Sequence, residues 1–296
     1  DRRDFIKTSL LGAAVAAVAQ TAPAASPHVG ESPGIVDTNV NLFRWPFRRL
    51  KYDDTAALVK KLKKHRVVEA WAGSFEALLH KDIAGVNGRL ATECRERGDG
   101  LLRPIGSANL AWPDWEDDVR RCHETHRMRG IRIYPGYQPF DLSHPDFPRL
   151  VRVCHERGLL LQVVFQMEDP RVHHPLLNLP VIDVRPLVAA LKPVPEAKVQ
   201  LLHFSGNVQG SDLNALMTQT AVTLDISRWE GNGSVGKMIG AAPEGAKAKV
   251  PVDRVVFGSH VPYCPLETAI LRLIESPLSI EQLHAIMYRN AKRLLA

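Results

Sequence analysis

The sequence predicts an α/β fold in which eight parallel strands, each followed by a helix, close into a barrel. Three observations point there. Short apolar runs without polar alternation, the pattern of strands buried on both faces, alternate with stretches of helical periodicity. Eight such units follow one another from residue 34 onward. The chain has 296 residues, and a barrel of this kind takes roughly 250. An open, doubly wound sheet is the alternative, but no G-x-G-x-x-G follows the first run.

The elements read in order. Ile35–Val40 opens the series as a strand, and Asp54 stands as the cap of a helix over Asp54–His65. Val67–Ala72 is the second strand. A long helix is expected over Phe75–Arg97, with Leu78, Leu79, Ile83, Val86 and Leu90 near helical spacing. Leu102–Ser107 precedes a helix at Trp115–His126, Gly130–Tyr134 one at Pro148–Arg157, and Leu159–Phe165 one at Arg185–Leu191. Val199–Phe204 is followed by Ser211–Gln219. The last strands are Ala221–Ile226 and Arg254–Gly258. Helices Pro265–Glu275 and Ile280–Leu295 close the chain, the latter capped by Ser279 with Glu281 and Gln282 in its first turn.

Residues 1–33 are read as a targeting segment and linker, and residues 34–296 as one barrel domain. The start is D-R-R-D-F-I-K, and an apolar run follows from Ser9 to Ala19. That run is too short to span a bilayer of ~30 Å as a mature helix, and Ala17 and Ala19, or Ala22 and Ala24, offer cleavage sites. It is apolar all round, unlike an amphipathic helix. The segment resembles a twin-arginine (Tat) signal. The resemblance implies a bacterial protein exported in folded form to the periplasm or another extracytoplasmic site.

The net charge of +6 is mild and dispersed. Basic clusters at Arg48–Lys51 and Lys60–Arg66 lack any recognition motif, so they read as solvated faces and no nucleic-acid partner is expected. The four cysteines form no C-x-x-C, and three lie in helical stretches, which predicts free thiols. No membrane span is expected in the mature chain, and homo-oligomers stay open.

Two segments near the ends of the barrel domain stand out: G-I-V-D-T-N-V-N-L at 34–42 and V-D-R-V-V-F-G-S-H-V-P at 252–262. Four others accompany them. They are H-F-S-G at 203–206, L-D-I-S at 224–227, the stretch Trp45–Arg49, and the ending L-S-I-E-Q-L-H-A-I-M-Y-R-N-A-K-R-L-L. Together they resemble the amidohydrolase-2 branch of the amidohydrolase superfamily, barrel hydrolases and decarboxylases, over the whole chain from Gly34. In that branch the first strand ends in His-x-His and the last in Gly-Ser-Asp-x-Pro. Here Asn39 and Asn41 replace the two histidines and His260 replaces the aspartate. Phe165 and Gln166 stand where a strand-five ligand histidine is implied, and His203 is kept at strand six.

In such barrels the chemistry lies at the C-terminal ends of the strands. Reading those ends makes His260 a general base beside His203. Arg132, or Arg228, would grip a carboxylate or an oxyanion. Asn39, Asn41, Arg44, Tyr134, Gln166, Glu168, Asp225 and Arg228 are candidate substrate contacts. Asn39, Asn41, His203 and His260 should converge at the mouth. Trp45 reads as packing, and His173 and His174 as loop residues. Amide oxygens are poor zinc ligands, so no tightly bound zinc is expected. A rearranged site of His203, His260 and Glu168, Asp169 or Asp225 is the alternative. The expected function is an exported hydrolase, working without the usual zinc, for a small polar or carboxylated substrate, a lactone or an amide. Its activity should titrate near ~6.5. Two alternatives stand beside it: a non-catalytic barrel binding a ligand or partner, and a metal-dependent hydrolase or decarboxylase with a rearranged site.

Overall fold

The computed structural model describes residues 34–175, 177, 179–204, 208–241 and 249–295. Residues 1–33, read above as a targeting segment and linker, and Ser205 and Gly206 of the H-F-S-G stretch lie outside the described residues.

The strand segments are β1 (Ile35–Leu42), β2 (Val67–Ser74), β3 (Leu102–Pro104), β4 (Gly106–Ser107), β5 (Gly130–Ile133), β6 (Leu160–Val164), β7 (Val199–Leu202), β8 (Thr223–Asp225) and β9 (Val255–Val256). Each pairs parallel to its neighbour, in the orders β1-β2-β3 and β4 through β9. β3 and β4 are halves of one stave interrupted at Ile105, whose N–H still reaches the Ala72 carbonyl at 2.8 Å. The ring closes past β9. Thr38 donates to Phe257 O, Asn41 to Val261 O, and His260 to Asn39 O, at 3.0, 3.0 and 2.9 Å. The result is the eight-stave parallel barrel, and the expected strands fall on the observed ones.

The helices are α1 (Thr55–Lys64), α2 (Ile83–Arg97), α3 (Trp115–Glu124), α4 (Phe147–Glu156), α5 (Arg185–Leu191), α6 (Gly210–Gln219), α7 (Ser234–Ile239), α8 (Leu266–Ile274), α9 (Ile280–His284) and α10 (Asn290–Leu294). Asp54 caps α1 by accepting from Ala57 N at 2.9 Å, and Ser279 and Gln282 form a reciprocal capping box before α9. Two expectations are corrected. The long helix over Phe75–Arg97 is a 3-10 turn, Phe75–Leu78, followed by α2, because Asp82 caps a fresh start by accepting from Gly85 N. The unexpected α7 is a short helix bracketed by Gly233 and Gly240, both at positive φ, a conformation that suits glycine. A π-helical turn, Ala285–Arg289, joins α9 to α10, and there the Ile286 carbonyl accepts from Phe257 N at 2.9 Å.

The barrel interior is layered by the pleat of the strands. Val36, Trp71, Ile105, Leu160 and Val256 form an apolar floor. One step up β6, Gln162 replaces the branched apolar residue common in such barrels. Its Nε2 donates to Gln200 Oε1 and to Thr38 O, while Gln200 Nε2 donates to Thr38 Oγ1. Arg132 completes this polar layer, donating to Gln162 Oε1 (2.8 Å), Asn41 Oδ1 (2.8 Å), Val40 O (3.1 Å) and Trp71 O (3.3 Å). Gly73 makes room for it, since a Cβ there would stand 2.4 Å from Arg132 Nη1. Above lie Tyr134, Val164 and Leu202.

All four cysteines are free. Cys94, Cys122 and Cys154 are buried on helices, and burial pushes their thiols up, Cys94 and Cys154 to about 12. Among the described residues no helix is long and apolar enough to cross a membrane.

Candidate active site

His203 directly follows β7, and His260 lies just past β9. Both hold left-handed backbone, with φ of 56° and 63°. Side chains with a Cβ seldom adopt it, and such strain clusters at functional sites. The two rings meet with centroids 3.9 Å apart, and neither is exposed to solvent.

Asp225 organises the pair from the end of β8. Its Oδ2 accepts from Asn39 Nδ2 at 2.6 Å. Its Oδ1 accepts from the His203 backbone N–H and from Ser227 Oγ, both at 3.0 Å. With its proton spent on Asp225, Ser227 Oγ accepts from His203 Nδ1–H across 3.2 Å, leaving the lone pair on Nε2. Asn39 Nδ2 lies 3.4 and 3.3 Å from the two nitrogens of that ring, so it directs neither. On β1, Asp37 accepts from the Asn39 and Ser259 N–H groups, tying the first strand to the last loop.

Electrostatics follow from depth. Burial pushes the Asp225 carboxyl up to about 6 and that of Asp37 to about 7, against the hydrogen bonds they accept. Both imidazoles are held well below the ordinary histidine value. Burial is the main cause; next come His260, Arg132 and Arg228 for His203, and Arg228, Arg132 and Arg272 for His260. Both rings are therefore neutral near pH 7.

A roof covers them. Tyr263 stacks on His260, with centroids 4.7 Å apart and planes 10° apart, and its hydroxyl donates to Glu168 Oε1 at 2.7 Å. Arg48 donates to the Tyr263 hydroxyl, pairs with Glu168 at 3.5 Å and lies over the Tyr263 ring. Trp45 meets Phe47, Phe75 and Tyr263 edge-on. At the ends of β5, β6 and β7 opens a mostly apolar cavity of about 310 Å³ lined by residues including Tyr137, Phe165, Gln166, His173 and Val208.

The structure thus brings His203, His260, Asn39 and Asp225 into one cluster, with Glu168 in the roof and Gln166 on the neighbouring cavity. Four assignments are corrected. Arg132 is a strut in the barrel interior, its guanidinium wholly buried and shared among protein acceptors. Asn41 serves that strut rather than the histidines, so the two asparagines do not act as one edge. Tyr134 is buried and donates to Ser74 O. Arg44 is exposed and lines a groove with Asp53 and Glu76, away from the cluster. Arg228 is largely buried beside the histidines and pairs with Glu230 at 3.5 Å, and its Nε is buried without a partner among the described residues. Trp45 packs, as expected. Asp169 caps the 3-10 turn Pro170–Val172. Sequence reasoning missed Ser227, Tyr263, Arg48 and the paired glutamines. Only the glutamines carried a signal, each interrupting an apolar run.

Fold and site together define a parallel α/β barrel whose polar cluster gathers at the C-terminal ends of its strands. The amidohydrolase-2 family model, described as amidohydrolase, matches residues 42–296, and the chain belongs to that family. The match begins just past Asn39 and Asn41. None of the curated proteins compared matches the chain. Solved structures do. A putative amidohydrolase from Staphylococcus aureus superposes with a TM-score of 0.63 at 12% identity, over 88% of this chain and 99% of that one. The 2,6-dihydroxybenzoate decarboxylase from Rhizobium gives 0.63 at 14%, over 88% and 98%. The 5-carboxyvanillate decarboxylase from Novosphingobium aromaticivorans, solved with bound manganese, gives 0.62 at 12%, over 90% and 98%. At these identities the likeness establishes the fold.

Proposed function

We propose that this amidohydrolase-family barrel is an exported hydrolase that opens a small polar or carboxylated lactone or amide with a histidine pair instead of a metal ion. The observation that carries this reading is the contact between two buried, neutral imidazoles, both in strained backbone, at the ends of two barrel staves. A neutral imidazole accepts a proton at pH 7. Arg228, whose Nε has no partner among the described residues, takes the place first given to Arg132 as the cation beside a developing oxyanion.

The donor chemistry supports a metal-free reading. An ion here would draw on His203, His260 and a carboxylate. Both oxygens of Asp225 already accept protein hydrogen bonds, and Glu168 Oε1 is engaged with Tyr263 and Arg48, which leaves Glu168 Oε2 as the carboxylate oxygen without a partner among the described residues. Arg132 and Arg228 act on both histidines as positive charges, and Arg272 on His260, which disfavours a further cation. Among the described residues no group of three or more His, Cys, Asp or Glu side chains is placed to hold one.

The test is elemental analysis of purified protein, followed by a panel of lactones, esters and amides assayed with and without chelator. Turnover that survives chelation is the expected result. Stoichiometric zinc or manganese, with activity lost on chelation and restored by the metal, would overturn it. Export rests on the Arg2-Arg3-x-Phe-Ile-Lys start. Changing Arg2 and Arg3 to Lys should hold the precursor in the cytoplasm, and unchanged export in fractionated cells would refute that.

A further inference from the structure

Cys264 differs from the other three cysteines. It sits past β9 in the loop that carries His260, outside the buried core, and it is partly exposed. Its N–H donates to the His260 carbonyl at 3.0 Å, closing a tight turn. That turn aims Sγ at His260 Nδ1, 3.9 Å away, within the range of a sulfur hydrogen bond. His260 is fully buried, and its Nε2 has no partner in the described structure. The imidazole therefore faces the thiol while sharing the cluster of His203 and Asp225.

Access sharpens the point. His203 and His260 lie beneath Tyr263 with no exposed surface, so a substrate would have to lift the roof to meet either ring. Cys264, beside His260, is the one partly exposed residue of the pair. Burial holds the thiol above its ordinary value, so at rest it carries its proton and needs a base to take it; Arg272, Arg228 and Arg48 offset part of that rise, against Glu230. Arg272 is itself anchored, donating to the Ser227 carbonyl at 2.8 Å.

We propose that Cys264 is the nucleophile of this site and that His260 is its base. This rests on the hydrolase reading above and deepens it by adding a covalent step. Sγ attacks the carbonyl carbon of an ester, lactone or amide as the thiol proton passes to His260 Nδ1. The C–O or C–N bond breaks, and the proton returns to the departing oxygen or nitrogen. Water then hydrolyses the thioester, releasing the acid and restoring the thiol. Arg228 faces the oxyanion formed at each addition.

Two measurements test it. In the folded protein at pH 7, iodoacetamide should label Cys264 and spare the three buried cysteines, as read by peptide mass mapping. His260→Gln should slow that labelling about tenfold, the effect of one pKa unit on the thiolate population. Equal rates in the two proteins would overturn the pairing. With p-nitrophenyl acetate, acid-quenched enzyme should carry an acetyl group on Cys264. Cys264→Ala, a change outside the core, should lose the adduct and at least about 100-fold in turnover. Two outcomes separate the readings. Full hydrolysis in Cys264→Ala, with loss in His260→Gln, leaves the hydrolase and removes the nucleophile. His260-dependent labelling without hydrolysis of any ester, lactone or amide keeps the pair and removes the hydrolase.

Discussion

Arg132→Ala is expected to destabilise the barrel by about 3–5 kcal/mol, the range for breaking a buried charged network. The residue is wholly buried, and its guanidinium bonds two side-chain and two backbone acceptors. Removing it strands Gln162 Oε1 and Asn41 Oδ1 in the interior, at about 1–3 kcal/mol for each unmet acceptor. It also empties the space that Gly73 leaves open. Arg132→Met should cost less, because it refills most of that volume and brings no charge inside. The measurement is urea unfolding of the three proteins at pH 7. A loss under about 1 kcal/mol for Arg132→Ala would place the guanidinium in solvent and return it to the substrate-binding role. Gly73→Val should mimic the alanine variant by pushing the strut aside.

Much of the fold was legible because burial on both faces writes itself into composition. Runs such as Leu159–Phe165 and Val199–Phe204 are apolar on both faces, which is what a stave between helices and a packed interior requires. What fell short was local. Asp82 stops one helix and starts another, and Gly233 and Gly240 bracket a helix with a weak apolar face. The site was legible at the level of strand ends, where His203, His260 and Asp225 were found. It was not legible in depth. Arg132 lies on a four-residue strand, and no one-dimensional pattern tells whether its side chain reaches the mouth or turns inward toward Gln162. The roof was invisible for another reason. Tyr263 meets Glu168 across 95 positions and Arg48 across 215, and nothing local to the three residues announces that meeting. The histidine pair was found for its resemblance, but the proton state that gives it meaning comes from burial.

That proton state makes the last expectation specific. His203→Gln and His260→Gln should each lower kcat/KM by about 10²–10⁴-fold, the usual contribution of a positioned acid or base. The acid limb of the wild-type pH profile should lie below pH 6.5 rather than at it, because burial holds both imidazoles neutral there. Stability should carry the same signature. In the unfolded chain a histidine takes up a proton near ~6.5, while the folded protein refuses it. The stability this contributes is present above that value and lost as pH falls below it, by about 1.4 kcal/mol per pH unit for each ring until the folded value is reached. The carboxyls of Asp37 and Asp225 work in the opposite sense. Raised to about 7 and about 6, they bind protons in the folded state first, so their share of stability is lost as pH rises through those values. Two protons refused and two accepted leave wild-type stability nearly level through the mildly acidic range, as far as this cluster is concerned. Removing both rings should break the balance. The double variant His203→Gln/His260→Gln should gain urea resistance between pH 7 and pH 5 relative to wild type, as the carboxyl term acts alone. Parallel curves for the two proteins across that range would mean that the rings take up protons in the folded state as they do in the unfolded chain, and the neutral pair on which the hydrolase reading depends would be lost with it.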